Sequence, residues 1–167
     1  MTQSTKCIIL RKWTMSTIIG GSMSEREKTI DEIRRFNRFY TVSMGFLDSV
    51  YLDTEYSIAE TRILFEIKMH GKCIQSDIAK ILHIDKSYLS RLIKRFHESG
   101  LIEKDKSGED KRANYIALTK KGIEETERLI YLTNNQIRAK IGGLSSAECK
   151  KLCDALNTVI LSLGREE

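Results

Sequence analysis

Ser87, Ser90, Arg91, Lys94 and Arg95 fall within nine consecutive positions. At about 100° per residue, a helix over this stretch turns these side chains to one side and Leu89, Leu92, Ile93 and Phe96 to the other. The polar side mixes hydroxyls with long cations and holds no carboxylate; Glu98 sits one turn beyond it, near the end. Such a face suits the major groove of double-stranded DNA. Its cations neutralise phosphates, while Ser, Tyr and Arg side chains reach base edges. Tyr88 borders the face, placed to touch a thymine methyl or a phosphate. A solvated amphipathic helix would show the same charge pattern, so the helix alone does not separate the two readings.

A second group of charges follows. Lys104, Lys106, Lys111 and Arg112 surround a polar loop, Asp105 to Arg112, that contains Gly108. The loop lies between two expected short strands, Leu101 to Lys104 and Asn114 to Leu118, which reads as a hairpin with a long charged tip. A protruding tip of this kind can lay a cation in a narrow minor groove, where the negative potential is strongest. The acids Asp105, Glu109 and Asp110 argue against simple electrostatics. One of them is suited to holding an arginine in position.

These groups need elements to place them. Gln75 to Leu82 reads as a short helix with Ile78, Ala79 and Leu82 inward, followed by a tight turn through His83 and Ile84. Asp85 then caps the helix that Gly100 stops, which completes a helix-turn-helix. Gln75 and Ser76, at its start, join the candidate DNA-contacting set. Upstream, Ser57 caps a helix with Glu60 completing a capping box, Ile58, Ile63, Leu64 and Ile67 inward, and Gly71 at its end. A first helix is expected over about 24–50, capped by Ser24. It has one apolar stripe through Ile30, Ile33, Phe36 and Tyr40 and a second through Phe39, Phe46 and Val50. Two apolar faces imply two partners, one of them another subunit. The aromatic cluster Phe36, Phe39, Tyr40 and Phe46 is expected to be core rather than an effector pocket. Thr119 caps a long helix through about Ile141, and Gly142 and Gly143 break it. Ser145 or Ser146 starts a last helix with Cys149, Leu152, Cys153, Leu156, Val159, Ile160 and Leu163 on its apolar side. The fold class expected is mainly α with a small β-wing: a winged helix over about 57–119, flanked by dimerisation helices over about 24–50, 119–141 and 145–164.

The totals exclude much else. The 167 residues are 41% hydrophobic, contain no proline and carry a net charge of +5. That permits a core, long unkinked helices and an anionic partner without proving one. Cys7, Cys73, Cys149 and Cys153 match no common zinc spacing, and His70, His83 and His97 are scattered, so no metal is expected. Reduced thiols in a cytoplasmic protein are the simplest reading, with Cys73 the candidate redox sensor and Lys72 its neighbouring cation. No nucleophile–base pair or phosphate loop stands out, so no catalytic residue, cofactor or enzyme activity is expected. No run reaches the roughly 18 apolar residues that span a bilayer, so no membrane partner is expected. The apolar run from Cys7 to Leu10 is cut by Arg11 and Lys12, too short for a secretory signal. Residues 1–23 lack periodicity and read as a poorly ordered extension or an over-called translation start, with 24–167 as the domain.

The stretch from Ser57 to Thr119 resembles the winged helix of the MarR family. The resemblance rests on the wing pattern Asp110, any residue, Arg112, five residues, Leu118, Thr119, and on the run LSRLIKRFHESGLI from Leu89 to Ile102. In pattern it extends from Ser24 to Leu163, about four fifths of the chain. The region from Ile33 to Leu118 is also similar to the MarR half of proteins that fuse this domain to an acetyltransferase. That enzyme needs roughly 150 further residues, so a free-standing version is expected. The resemblance implies that Arg112 enters the minor groove with Asp110 as its positioning partner. It further implies a homodimeric repressor on a palindromic operator, with half-sites about one helical turn apart, relieved by a small anionic or phenolic effector or by oxidation. The competing expectation is a winged-helix protein-interaction module that binds no DNA and turns its outer face to an acidic partner.

Overall fold

The computed structural model describes residues 23–48, 51–105 and 114–164. In chain order the elements are α1 (Glu25–Ser43), a 3-10 turn (Tyr51–Asp53), α2 (Ile58–His70), β1 (Cys73–Ile74), α3 (Gln75–Ile81), α4 (Lys86–Glu98), β2 (Ile102–Asp105), β3 (Tyr115–Leu118), α5 (Lys120–Ile141) and α6 (Ser146–Leu163). Two compact units are distinguished, one ending at Ser43 and the other beginning at Met44.

The first unit is represented by α1. Ser24 Oγ accepts from Glu27 N at 3.2 Å, as the expected cap requires. The helix stops at Ser43, short of the expectation that it runs to about 50. Met44 and Leu47 continue the apolar spacing, which is why the sequence reads as one helix. The break comes from Gly45, whose φ of +67° lies in the left-handed region, where a Cβ would also stand 2.6 Å from Asp48 Oδ2. Val50 lies outside the described residues. The expected aromatic core also needs correction. Phe36 stacks on Tyr40 at 5.4 Å, but Phe36, Phe39 and Tyr40 all stay exposed in the single chain.

In the second unit, caps start every long helix. Glu60 N donates to Ser57 Oγ and Ser57 N to Glu60 Oε2, so the capping box at α2 is closed in both directions. Asp85 Oδ1 accepts from Tyr88 N at 2.8 Å to open α4, and Thr119 Oγ1 accepts from Gly122 N at 3.0 Å to open α5. Ser145, rather than Ser146, opens α6 with a second capping box through Glu148. Hydrogen bonds from Ser145 hold the Glu148 carboxyl below its ordinary range. Such caps contribute about 0.5–2 kcal/mol each.

The core gathers Ile63, Leu64 and Ile67 of α2, Ile78 of α3 and Leu89, Ile93 and Phe96 of α4. These meet Leu101, Ile102, Ile116 and Leu129. α2, α3 and α4 thus bury the faces their periodicity marks. The strands form a three-stranded antiparallel sheet in the order β1-β3-β2. Ile102 pairs with Leu118 and Asp105 with Tyr115, as a wing hairpin demands. The third strand is an addition: Cys73 pairs with Ile116 and Ile74 with Tyr115. Two residues are too few to show a period of two, so β1 leaves no sequence signal.

α5 is fastened where α4 ends. Thr119 N donates to Leu101 O at 3.0 Å, Thr119 Oγ1 to Gly100 O at 2.7 Å, and Lys121 Nζ to Ser99 O at 2.8 Å. The helix approaches so closely that a Cβ on Gly122 would run into the Leu101 carbonyl oxygen.

Candidate nucleic-acid interface

The turn between α3 and α4 is set by backbone bonds. Leu82 N donates to Ile78 O, His83 N to Lys80 O and Ile84 N to Ala79 O, each at 3.0–3.1 Å. His83 takes φ +50°, and half-buried Leu82 and Ile84 pack on the core. α4 is thereby held with Leu89, Leu92, Ile93 and Phe96 buried and Ser87, Ser90, Arg91, Lys94 and Arg95 exposed. Tyr88 is half-buried, and the Arg91 guanidinium lies 5.9 Å from its ring centroid. Lys94 Nζ stands 3.8 Å from Glu98 Oε1, an exposed pair worth little. Arg95 leaves this pattern and pairs with Glu60, a buried carboxylate at the start of α2. No sequence signal announces that pair, because its members belong to different helices.

Gln75 and Ser76 are half-buried at the start of α3, and Gln75 N donates to Asn114 O at 3.0 Å, tying α3 to the wing. At the wing's root, Lys72 Nζ meets Asp105 Oδ2 at 2.6 Å and lies 5.3 Å from the Tyr115 ring centroid. The bond to Asp105 raises the Lys72 pKa. Of the three acids considered for positioning a wing arginine, Asp105 is thus engaged by a lysine. Lys106, Glu109, Asp110, Lys111 and Arg112 lie outside the described residues.

The other candidates carry less. Burial pushes the Cys73 thiol up, reinforced by Asp77, which is the reverse of an activated redox cysteine. His70 Nδ1 faces Glu66 O and His97 Nδ1 faces Ile102 O, both at 2.9 Å. Among the described residues no group of three or more His, Cys, Asp or Glu could hold a metal, and no helix is long and apolar enough to cross a membrane.

A cavity of about 320 Å³ opens between the turn before α2, α2 itself and α5. Phe46, Tyr51, Phe65, Thr126 and Thr133 line it, and Arg62 stands at its wall, paired with Glu66 at 2.6 Å. The buried Thr61 hydroxyl in this wall has no hydrogen-bond partner. Phe46, expected as core, is a lining residue here.

Two helices joined by a tight turn, a three-stranded sheet whose β2–β3 pair packs beside the second helix, and a cationic outer face on that helix define a winged helix-turn-helix protein. Residues 56–113 match the MarR family. The HTH-type transcriptional repressor IacR of Pseudomonas putida is 25% identical over 132 residues, covering 78% of this chain and 77% of the relative. Among solved structures, a cysteine-to-serine mutant of MarR from E. coli complexed with operator DNA superposes with a TM-score of 0.64 at 19% identity. That match covers 83% of this chain and 99% of the other. BpsR of Bordetella bronchiseptica, whose DNA binding is regulated by 6-hydroxynicotinic acid, gives 0.62 at 21% identity over 83% and 97%. At these identities the structural likeness establishes the fold. The match over 56–113 makes the winged-helix segment of this chain similar to the MarR family.

Proposed function

We propose that the chain is a sequence-specific DNA-binding transcriptional regulator, a homodimeric repressor of a palindromic operator that a small molecule releases. The observation that carries this is the outer face of α4. Ser87, Ser90, Arg91 and Lys94 are exposed directly opposite a fully buried apolar side. Those side chains would enter the major groove, with Gln75, Ser76 and Tyr88 at its border. Lys106, Lys111 and Arg112 would meet the backbone and minor groove, and Asp110 would orient Arg112. The relatives described above are regulators, one of them seen with operator DNA, and the role calls for no catalysis. Its place of work would be the cytoplasm.

Residues 24–167 would form the working domain, with α1, α5 and α6 joining two copies. The motive is the apolar surface of α1 and α6 that a single chain leaves exposed. The cavity beside Arg62 is the place for the effector. Aromatic walls, one cation and an unpartnered hydroxyl suit a small anionic or phenolic ring, and 6-hydroxynicotinic acid acts on BpsR.

Selection of bound duplexes from a random pool tests the reading. A palindromic consensus is expected, with affinity falling steeply as salt rises. Recovery of no consensus, with no retention on DNA at low salt, would overturn it.

A further inference from the structure

The polar residues of α4 are not equivalent. At about 100° per residue, Ser90 and Lys94 occupy one flank of the outer face, and Arg95 occupies the other, beside Tyr88. Arg95 is the residue that reaches α2. There Glu60 is only 5% exposed. Its Oε2 accepts from the backbone N–H and the hydroxyl of Ser57 at 2.8 and 2.9 Å. Its Oε1 is buried, has no hydrogen-bond partner, and is ion-paired with Arg95 Nη2. The Arg95 guanidinium also lies 5.7 Å from the Phe96 ring centroid, at the edge of the core.

A buried carboxylate oxygen stripped of its cation is costly, so the pair has a strong reason to stay closed. An arginine neutralised by a carboxylate releases no counterion when DNA arrives, and its planar fork is already committed. Glu60 is meanwhile fixed by the capping box, so the anchor cannot swing out with the arginine. We propose that Arg95 is a positioning residue rather than a base reader: the Glu60–Arg95 pair fixes the pitch of α4 against the start of α2, and so sets which bases Ser87, Ser90 and Arg91 reach. This rests on the DNA-binding reading above. It separates sequence preference from overall DNA affinity, because a recognition helix at the wrong pitch still meets phosphates but no longer aligns with base edges.

The test uses the full chain, a duplex selected from a random pool by the wild type, and a scrambled duplex of the same composition, at several salt concentrations. Arg95→Ala, Glu60→Gln and their combination are compared. Glu60→Gln keeps an oxygen for Ser57, so the α2 cap survives, and thermal melts confirm folding of each variant. Each single change is expected to weaken binding to the selected duplex about tenfold and to the scrambled one far less. The dependence of log K on log salt should not change, and the combination should be no worse than either single change. Arg95→Lys, which keeps a cation near Glu60, should recover part of the preference. A salt slope flattened by about one unit in Arg95→Ala would overturn the proposal, since it marks a phosphate contact. Tighter binding by Glu60→Gln would do so too, because it marks an arginine freed for DNA. Variants that fold and discriminate like the wild type would reduce the pair to a structural one and also overturn it. If the wild type fails to separate the two duplexes, the DNA-binding reading falls and takes this proposal with it.

Discussion

Ser90 stands exposed on α4, one helical turn from Lys94. Its hydroxyl is short and can serve a base edge at only one step of the site. Ser90→Ala should therefore cost roughly 1–3 kcal/mol against one base pair and leave other sequences and the salt slope unchanged. The role proposed for Arg112 is of the other kind. Arg112→Ala should weaken binding most on duplexes with a narrow, A·T-rich minor groove beside each half-site. Binding of both variants to matched and mismatched duplexes across salt separates the two effects, and equal behaviour on all duplexes would remove both residues from the interface. The amphipathic division of α4 was legible in the sequence because it is local and periodic. The bond from Arg95 to Glu60 was not, because it joins two helices whose approach only the folded core defines. The sequence marks Arg95 as one cation among several; the fold gives it a buried partner.

At the scale of elements the same distinction holds. Ser57, Asp85, Thr119 and Ser145 each accept a backbone N–H three residues on, so their caps depend on nearest neighbours and were readable as such. The end of α1 and the strand β1 were not readable. Met44 and Leu47 keep helical spacing past a glycine that turns the chain, and β1 exists only because β3 lies beside it. The joint between α4 and α5 carries two expectations. Alanine is ordinarily a better helix former than glycine by about 1 kcal/mol. At Gly122 the sign reverses, because the new Cβ meets the Leu101 carbonyl, which is backbone and cannot step aside. Gly122→Ala should lower stability by roughly 1–3 kcal/mol in urea unfolding, and an unchanged midpoint would refute the close approach. Nearby, burial and then the charge of Glu125 push the Tyr56 phenol up from 10.0 to about 12. The folded state therefore holds this proton more tightly than the unfolded state. The associated stability is fully present below pH 10 and is lost as pH rises through about 12. Tyr56→Phe should flatten that alkaline decline in melts between pH 9 and 11 (roughly the accessible window), whereas an identical decline in the variant would assign it to other groups.

For the whole molecule, the question is what the end helices do. No residue of α6 is buried in the single chain, and Leu156, Val159, Ile160 and Leu163 are between 43% and 65% exposed. A capping box, eighteen residues of regular helix and an apolar row along it make little sense as a solvated tail. They fit a helix that meets its counterpart in a second copy. A twofold pairing also matches what a palindromic site would require, two recognition helices at a fixed separation, since in the proposed reading one copy of α4 would read one half-site. Avidity would follow from the same arrangement: once the first half-site is bound, the second copy would meet its own at high effective concentration. Removing residues 145–167 should then abolish the dimer in sedimentation and leave an unstable or aggregating species. Leu156→Asp, which keeps the helix and adds one charge to the row, should shift the chain toward monomer with the winged helix still folded. In that monomer, affinity for a palindromic duplex should fall to that for a single half-site, because only avidity has been lost. A monomeric, folded variant that still prefers the palindrome as strongly as the wild type would show that the two half-sites are joined by some other surface.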